Sequence, residues 1–388
     1  MGLAEWFVLR LSMISAALVA ALVGYGSTIA LILAAAQAVG ANAAQTTSWV
    51  AAICLAKAIG SGLLSTWKRV PMLLAWSTPG AALIAASSGV NINEAVGAFV
   101  VAAGLIALTG AIAPINRAIA AIPTGIASAM LAGVLLPFCL DVARFAVSDW
   151  EEVLPLVVVF LLVRLASPLY AVLAALATGL ALAIWSVGIE PQILSFDAQP
   201  LVFIAPAFSL PVIVGLGLPL YLVTMASQNL PGFAVLRAYG FTPPVREALA
   251  VTGVGSAVAA LFGAHSFNMA AITAAICLGD DVHPDRLQRW KVGLVYALFW
   301  GALGALGPLI IPVILALPVA IVAAVAGLAL VMPLIAALTS AFETPDSRFA
   351  AATTFVVAAS GIAVVDIGAA FWGLLAGLIV YLLDRLRR

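Results

Sequence analysis

Three short polar interruptions break an otherwise apolar chain, and any chemistry it performs must be built from them. The first is Trp76, Ser77, Thr78, Pro79 and Gly80. The second is Ser227, Gln228 and Asn229. The third is His265, Ser266, Phe267, Asn268 and Met269. Pro79 lacks a backbone donor and Gly80 is conformationally permissive, so the chain is expected to break there. Ser77 or Thr78 then caps the half-helix that follows. His265, Ser266 and Asn268 interrupt their own segment at the matching place. Two half-helices that face each other with their N-termini present free N–H groups and two positive dipole ends, an arrangement suited to a carboxylate. Ser227, Gln228 and Asn229 bring uncharged polar groups to membrane depth, where they are tolerated only against partners or a cavity. Tyr25 and Ser27 are their counterparts near the N-terminus. His265 is the one titratable candidate for carrying a proton. No His, Cys or carboxylate constellation accompanies these residues, which argues against an enzyme. Cys54, Cys139 and Cys277 lie in apolar stretches without metal-ligand spacing and read as core residues, so neither a metal nor a cofactor is expected.

The elements that must position these groups are membrane helices. Of 388 residues, 65% are hydrophobic and 8% charged, against roughly 25% charged in an ordinary soluble domain. Runs such as Leu156 to Val163 and Tyr170 to Ile184 are apolar without alternating, which selects helices over a β-barrel. Fourteen spans are predicted, at 11–38, 46–66, 71–88, 93–113, 119–140, 153–165, 168–188, 207–230, 247–263, 264–278, 292–310, 313–338, 349–363 and 366–383, with the first read as a retained span and not a removable signal peptide. The segments 71–88 and 264–278 are short for a crossing. With the N-terminus in the cytoplasm, 14 of the 16 basic residues fall inside, and Glu94, Asp149, Glu151, Glu152, Glu190 and Asp197 fall outside. Both termini are then cytoplasmic. Trp49, Trp67, Trp150, Trp185 and Trp290 read as an aromatic belt. Lys57, the one basic residue within a span, reads as snorkelling to the inner face, with neutralisation of an interior charge as the alternative. Asp141 and Arg144 read as a surface pair, and His283 with Asp280, Asp281 and Asp285 as a loop that caps the next helix. Zero net charge gives no nucleic-acid footprint.

The two halves resemble each other in order. Ala121 to Pro123 returns as Ala316 to Pro318, Ala132–Gly133 as Ala326–Gly327, and Pro137 as Pro333. Ala38 to Gly40 returns as Ala238 to Gly240, Ser27 as Ser227, and the stretch from Thr78 as that from Phe267. Seven spans per copy is odd, so the second copy enters the membrane in the opposite sense. Inverted repeats of this kind are an architecture of secondary transporters, with the substrate at the midplane between paired short helices.

At these residues the chain resembles the BenE benzoate transporter family: VPMLLAWSTPGAAL from Val70, LVTMASQNLPG from Leu222, AAITAAIC from Ala270 with HPD and RW after it, and AFWGLLAG from Ala370. That family is grouped with uracil-permease-type nucleobase symporters and sulfate-permease-type anion transporters. The resemblance implies an all-α polytopic protein of 14 spans in a 7+7 inverted repeat, with short strands before the half-helices of spans 3 and 10. It implies a core domain from 1–116 and 201–311, a gate domain from 117–200 and 312–388, and elevator-like movement of one against the other, often in homodimers. Nucleobase symporters of this group carry acids where this chain has Gln228 and, nearby, Asn268; neutral amides do not repel a carboxylate. The expected function is import of benzoate or a similar aromatic carboxylate, with a proton held by His265 or by the substrate, across a bacterial inner membrane. The ring is expected against Tyr25, Trp76, Phe267 or Met269. A nucleobase or inorganic anion as substrate, or an anion channel on the same fold, are the rival readings.

Overall fold

The structure, a computed structural model, describes residues 10–112, 123–186, 201–365 and 367–386, with the side chains of Ser186 and Ile272 outside the description. Arg117, Ala121, Glu190, Asp197 and the first residues of the 119–140 and 366–383 segments lie outside the described residues. The chain is mostly helical. The helices are α1 (Leu11–Gly26), α2 (Ile29–Ala38), α3 (Ala43–Lys68), α4 (Thr78–Ala85), α5 (Ile92–Ala111), α6 (Thr124–Ser148), α7 (Trp150–Ala166) and α8 (Ala171–Ser186). Then follow α9 (Leu210–Ala238), α10 (Val245–Ala260), α11 (Ile272–Leu278), α12 (Lys291–Ala305), α13 (Gly307–Leu315), α14 (Val319–Phe342), α15 (Arg348–Ala359) and α16 (Ala369–Leu386). Two strands, β1 (Leu74–Trp76) and β2 (Phe267–Met269), pair with each other, as do β3 (Ala363–Val364) and β4 (Ile367–Gly368).

Among the described residues seven helices are long and apolar enough to cross a bilayer, or eight if a pair bent by 58° at Leu306 counts as one. The fourteen-span expectation exceeds that count for a physical reason. Helices α7, α8, α10, α12 and α15 have 12 to 17 residues, and 71–88 and 264–278 are each a short strand followed by a short helix.

Local sequence accounts for the boundaries. Asn42 with Gln45 and Asn91 with Glu94 form reciprocal capping boxes at the starts of α3 and α5. Helices α6 and α14 both begin directly after a proline, Pro123 and Pro318, and both carry an internal proline, Pro137 and Pro333. Gly40 and Gly240 sit just past helix ends at φ 72° and 78°, the left-handed conformation that glycine adopts without strain.

Packing sorts the helices. Helices α1 to α5 pack chiefly on one another and on α9 to α12, and α6 to α8 chiefly on one another and on α14 to α16. The two groups meet where α4 and α9 touch α6, α1 touches α8, and α2 touches α14. Leu154, Val158, Leu161, Leu162 and Leu165 of α7 point outward, as a lipid-facing surface requires.

Three expectations change. Lys57 does not snorkel: it is fully buried, held in mid-helix by the 26-residue α3. Trp49 and Trp290 are buried and so leave the aromatic belt, whereas Trp67, Trp150 and Trp185 are exposed. Trp49 is turned inward because its indole N–H has a buried acceptor, and Trp290 lies beneath the Arg69 guanidinium, 4.1 Å from its ring centre. Asp141 and Arg144 do form a surface pair at 2.8 Å, and Asp285 caps the short turn Arg286–Gln288. Arg289 in the same loop is only 4% exposed. It pairs with Asp280 and donates to the carbonyls of Leu278 and His283 at 2.8 and 2.7 Å, closing the C-terminal end of α11.

Candidate substrate site where two broken helices cross

Strands β1 and β2 run antiparallel with Leu74 opposite Met269, Ala75 opposite Asn268 and Trp76 opposite Phe267. Ser77 N–H to Ser266 O (3.1 Å) and Ala270 N–H to Leu73 O (2.9 Å) extend the ladder at both ends. A two-stranded ribbon buried among helices leaves each outer edge without a strand partner, and buried backbone groups must find one. Small hydroxyls from the surrounding helices provide it. Ser65 Oγ accepts from Met72 N–H at 3.0 Å and Ser61 Oγ from Leu74 N–H at 3.1 Å. Ser256 Oγ accepts from Phe267 N–H at 3.1 Å. Asn229 Oδ1 accepts from Met269 N–H at 3.0 Å, and Tyr296 donates to Leu74 O at 2.9 Å. Met269 packs against Gly232 of α9, and Phe267 fills notches at Gly60 and Gly255. Its ring ends an outward-opening apolar groove of about 600 Å³ between α3 and α10.

Beyond the ribbon the polar residues join into one network. Ser77 Oγ caps α4 by accepting from Gly80 N–H at 3.1 Å, and Gly80 lets it approach, because a Cβ there would lie 2.7 Å from that oxygen. Ser77 Oγ also meets Thr224 Oγ1 at 3.0 Å, and Thr224 meets Ser266 Oγ at 3.3 Å. Thr78 Oγ1 meets Thr28 Oγ1 at 3.1 Å, at the α1–α2 break beside Ser27. The Asn268 amide, oriented to suit its neighbours, accepts from Ser77 N–H and donates to Met269 O. His265 closes the network: Trp49 Nε1–H donates to its Nδ1 at 3.0 Å, and its Nε2 lies 3.1 Å from Ser77 O. Indole only donates, so the network assigns the neutral ring with its proton on Nε2. Helix α9 delivers Thr224 and Asn229 through a π turn at Met225–Asn229. Ser227 and Gln228 of the same turn are half-buried.

A second cluster lies beside the first. Lys57 Nζ sits 3.0 Å from the Trp300 ring centre and 3.7 Å from that of Trp76. The Tyr25 ring is 5.6 Å from Trp76 and 6.1 Å from Trp300, and Tyr296 is 5.9 Å from Trp300. Lys57 Nζ, Tyr25 Oη and Trp300 Nε1 are all buried without a hydrogen-bond partner. A desolvated cation–π contact contributes about 2 kcal/mol, whereas burying an ammonium costs several kcal/mol.

The structure thus brings Ser77, Thr78, Asn229, His265, Ser266 and Asn268 together, and places Tyr25 and Trp76 in the neighbouring aromatic cluster. Phe267 and Met269 turn toward other helices. Sequence reasoning placed Trp49 in an aromatic belt and passed over Thr28, Ser61, Ser65, Thr224, Ser256 and Trp300. Thr224, a hydroxyl in an apolar run four residues before Gln228, carried the clearest signal among them.

The fold is shared with SLC26-type transporters of known structure. The transmembrane domain of a cyanobacterial bicarbonate transporter, BicA, superposes with a TM-score of 0.54 at 15% identity, covering 96% of this chain and 98% of that one. The murine Slc26a9 anion transporter in its inward-facing state gives 0.64 at 12% identity, covering 99% of this chain and 70% of that one. The family is closer still. The chain belongs to the BenE family of benzoate membrane transport proteins, whose model matches residues 8–383. It is 40% identical over 369 residues to the Escherichia coli inner membrane protein YdcO, covering 94% of each chain. It is 33% identical over 377 residues to the benzoate membrane transport protein of Acinetobacter baylyi, covering 96% of this chain and 94% of that one.

Proposed function

We propose that this chain is a secondary active transporter that imports benzoate or a similar aromatic carboxylate with a proton across a bacterial inner membrane. The observation that carries the reading is the crossing of β1 and β2 in a chain of the BenE family; the substrate class follows from the relative named for benzoate. In this reading the carboxylate lies by the starts of α4 and α11 and the ring against Tyr25 and Trp76. Residues 1–116 and 201–311 form a core and 117–200 and 312–388 a gate, related internally as a seven-plus-seven inverted repeat. The core slides along the gate in an elevator-like step, in a homodimer with both termini cytoplasmic. Ser227 and Gln228 lie on the α9 turn that packs toward α6, a position suited to sensing that movement. His265 has both ring nitrogens engaged. A proton on Nδ1 would face the Trp49 N–H, so His265 positions Ser77 and does not hold the coupled proton on its ring.

Uptake of radiolabelled benzoate into proteoliposomes, with and without an inward proton gradient, tests this. Accumulation driven by the gradient is expected. Absence of uptake under both conditions would sink the reading. Ranking benzoate, uracil and sulfate by thermal shift separates it from a nucleobase or inorganic-anion carrier, and currents far above carrier turnover would mark a channel instead.

A further inference from the structure

Three buried side-chain atoms among the described residues lack a hydrogen-bond partner, and they converge. Tyr25 comes from α1, Lys57 from α3 and Trp300 from α12, with Trp76 of β1 between them. All three atoms, Oη, Nζ and Nε1, carry hydrogens to donate. Lys68 pairs with Glu247, Arg144 with Asp141 and Arg289 with Asp280, whereas Lys57 Nζ has no hydrogen-bond partner among the described residues. Aromatic faces ease a cation's burial but accept no hydrogen bond along the N–H directions left over. A built cluster of three unmet donors around one amino group is complementary to an anion with several acceptor oxygens. The walls add a second requirement. Tyr25, Trp76 and Trp300 pack on one another with ring centres 5.1 to 6.1 Å apart, so an aryl body enters by taking the place of one of these ring contacts. The start of α11 adjoins the cluster, since a Cβ on Gly24 would lie 3.3 Å from Trp300 and 3.7 Å from Thr273.

We propose that Lys57, with the Tyr25 hydroxyl and the Trp300 indole N–H, is the binding site for the carboxylate of an aromatic acid, Lys57 supplying the counter-charge. The assignment rests on the benzoate reading above and sharpens it. The hydroxyl and imidazole network at Ser77, Thr224, Ser266 and His265 is bonded to itself and holds the two broken helices together; the partnerless cluster receives the ligand. An ammonium–carboxylate pair leaves the loaded site neutral, so the loaded protein moves no net buried charge at this point. The Trp300 indole that donates to the carboxylate also belongs to the lysine's own cage, so ligand entry and the position of Lys57 are coupled.

The test is calorimetric titration of the purified full-length protein with benzoate and with benzamide, its uncharged isostere, alongside thermal unfolding of the empty protein. Wild type is expected to bind benzoate well above benzamide. Lys57→Met is expected to weaken benzoate roughly 100-fold while changing benzamide less than about threefold. Tyr25→Phe, which keeps the ring, is expected to weaken benzoate about tenfold. The empty Lys57→Met protein is expected to unfold at the wild-type temperature or above it, because a buried amino group without a hydrogen-bond partner has been replaced by an apolar chain of similar length. Unchanged benzoate affinity in Lys57→Met, an equal loss for both compounds, or a lower unfolding temperature that marks Lys57 as packing would each overturn the assignment and leave the benzoate reading standing. A wild type that binds neither compound would overturn the benzoate reading, and this assignment with it.

Discussion

Two buried polar clusters lie side by side in this molecule, and they differ in one respect. Around His265 the polar atoms find partners in the protein: Trp49, Ser77, Thr224 and Ser266 form a connected set. Around Lys57 three donors find none. Both clusters occupy the same low-dielectric interior, where an unmet polar group costs far more than in water. The first is therefore scaffolding, because it holds β1 to β2 whether or not a ligand is present. The second is incomplete in the empty protein, and incompleteness at a positive centre is what an anion site requires.

Substitutions that break one cluster and spare the other sharpen the contrast. The largest stability effect is expected for His265→Leu, which strands the Trp49 N–H at about 1–3 kcal/mol and also takes one of two donors from the Ser77 carbonyl, leaving it the Ala81 N–H; thermal unfolding in detergent reads it. Next comes Asn229→Leu, which strands the Met269 N–H alone, again at about 1–3 kcal/mol. Ser77→Ala removes the α4 cap and is expected to cost about 1 kcal/mol, with a matching fall in unfolding temperature. Lys57→Met stands at the far end, with no loss of empty-state stability. A stability order with Lys57→Met at the top would erase the distinction between the clusters.

The sequence announced the breaks more clearly than the partners. Pro79 and Gly80 have the wrong backbone chemistry for mid-helix, and α4 starts among them. The matched pairs Gly40 and Gly240, and Pro137 and Pro333, fall at comparable places in their helices. The residues that complete the site were hidden for physical reasons. Ser61, Ser65 and Ser256 look like any small residue in an alanine-rich helix, and spacing cannot say that they bond the edge of a strand. Trp49 and His265 are 216 positions apart, and only the fold brings them together. Trp49 read as an interfacial tryptophan because a ring near a helix end has the same local pattern whether it faces headgroups or the interior. Lys57 was visible as the lone basic residue within a span, yet a flexible chain can reach an interface from many depths. Its position on the inward face of α3 decided the matter.

The π turns of α9 at Ile213–Gly217 and Met225–Asn229 carry a consequence in angular phase. Each inserts a residue beyond the α-helical count, and one residue corresponds to about 100° of rotation. The helix thereby meets two clients of different geometry along one length: Thr224 and Asn229 are set toward the strands, while the same turn also packs toward α6. Deleting a single residue between Met225 and Asn229 would let the turn relax to a regular helix. The chain would still be apolar, helical and long enough to span, and the flanking segments would stay in step, because a turn with one residue fewer still closes through a full circle; only the residues within the turn would lose their places against the strands and α6.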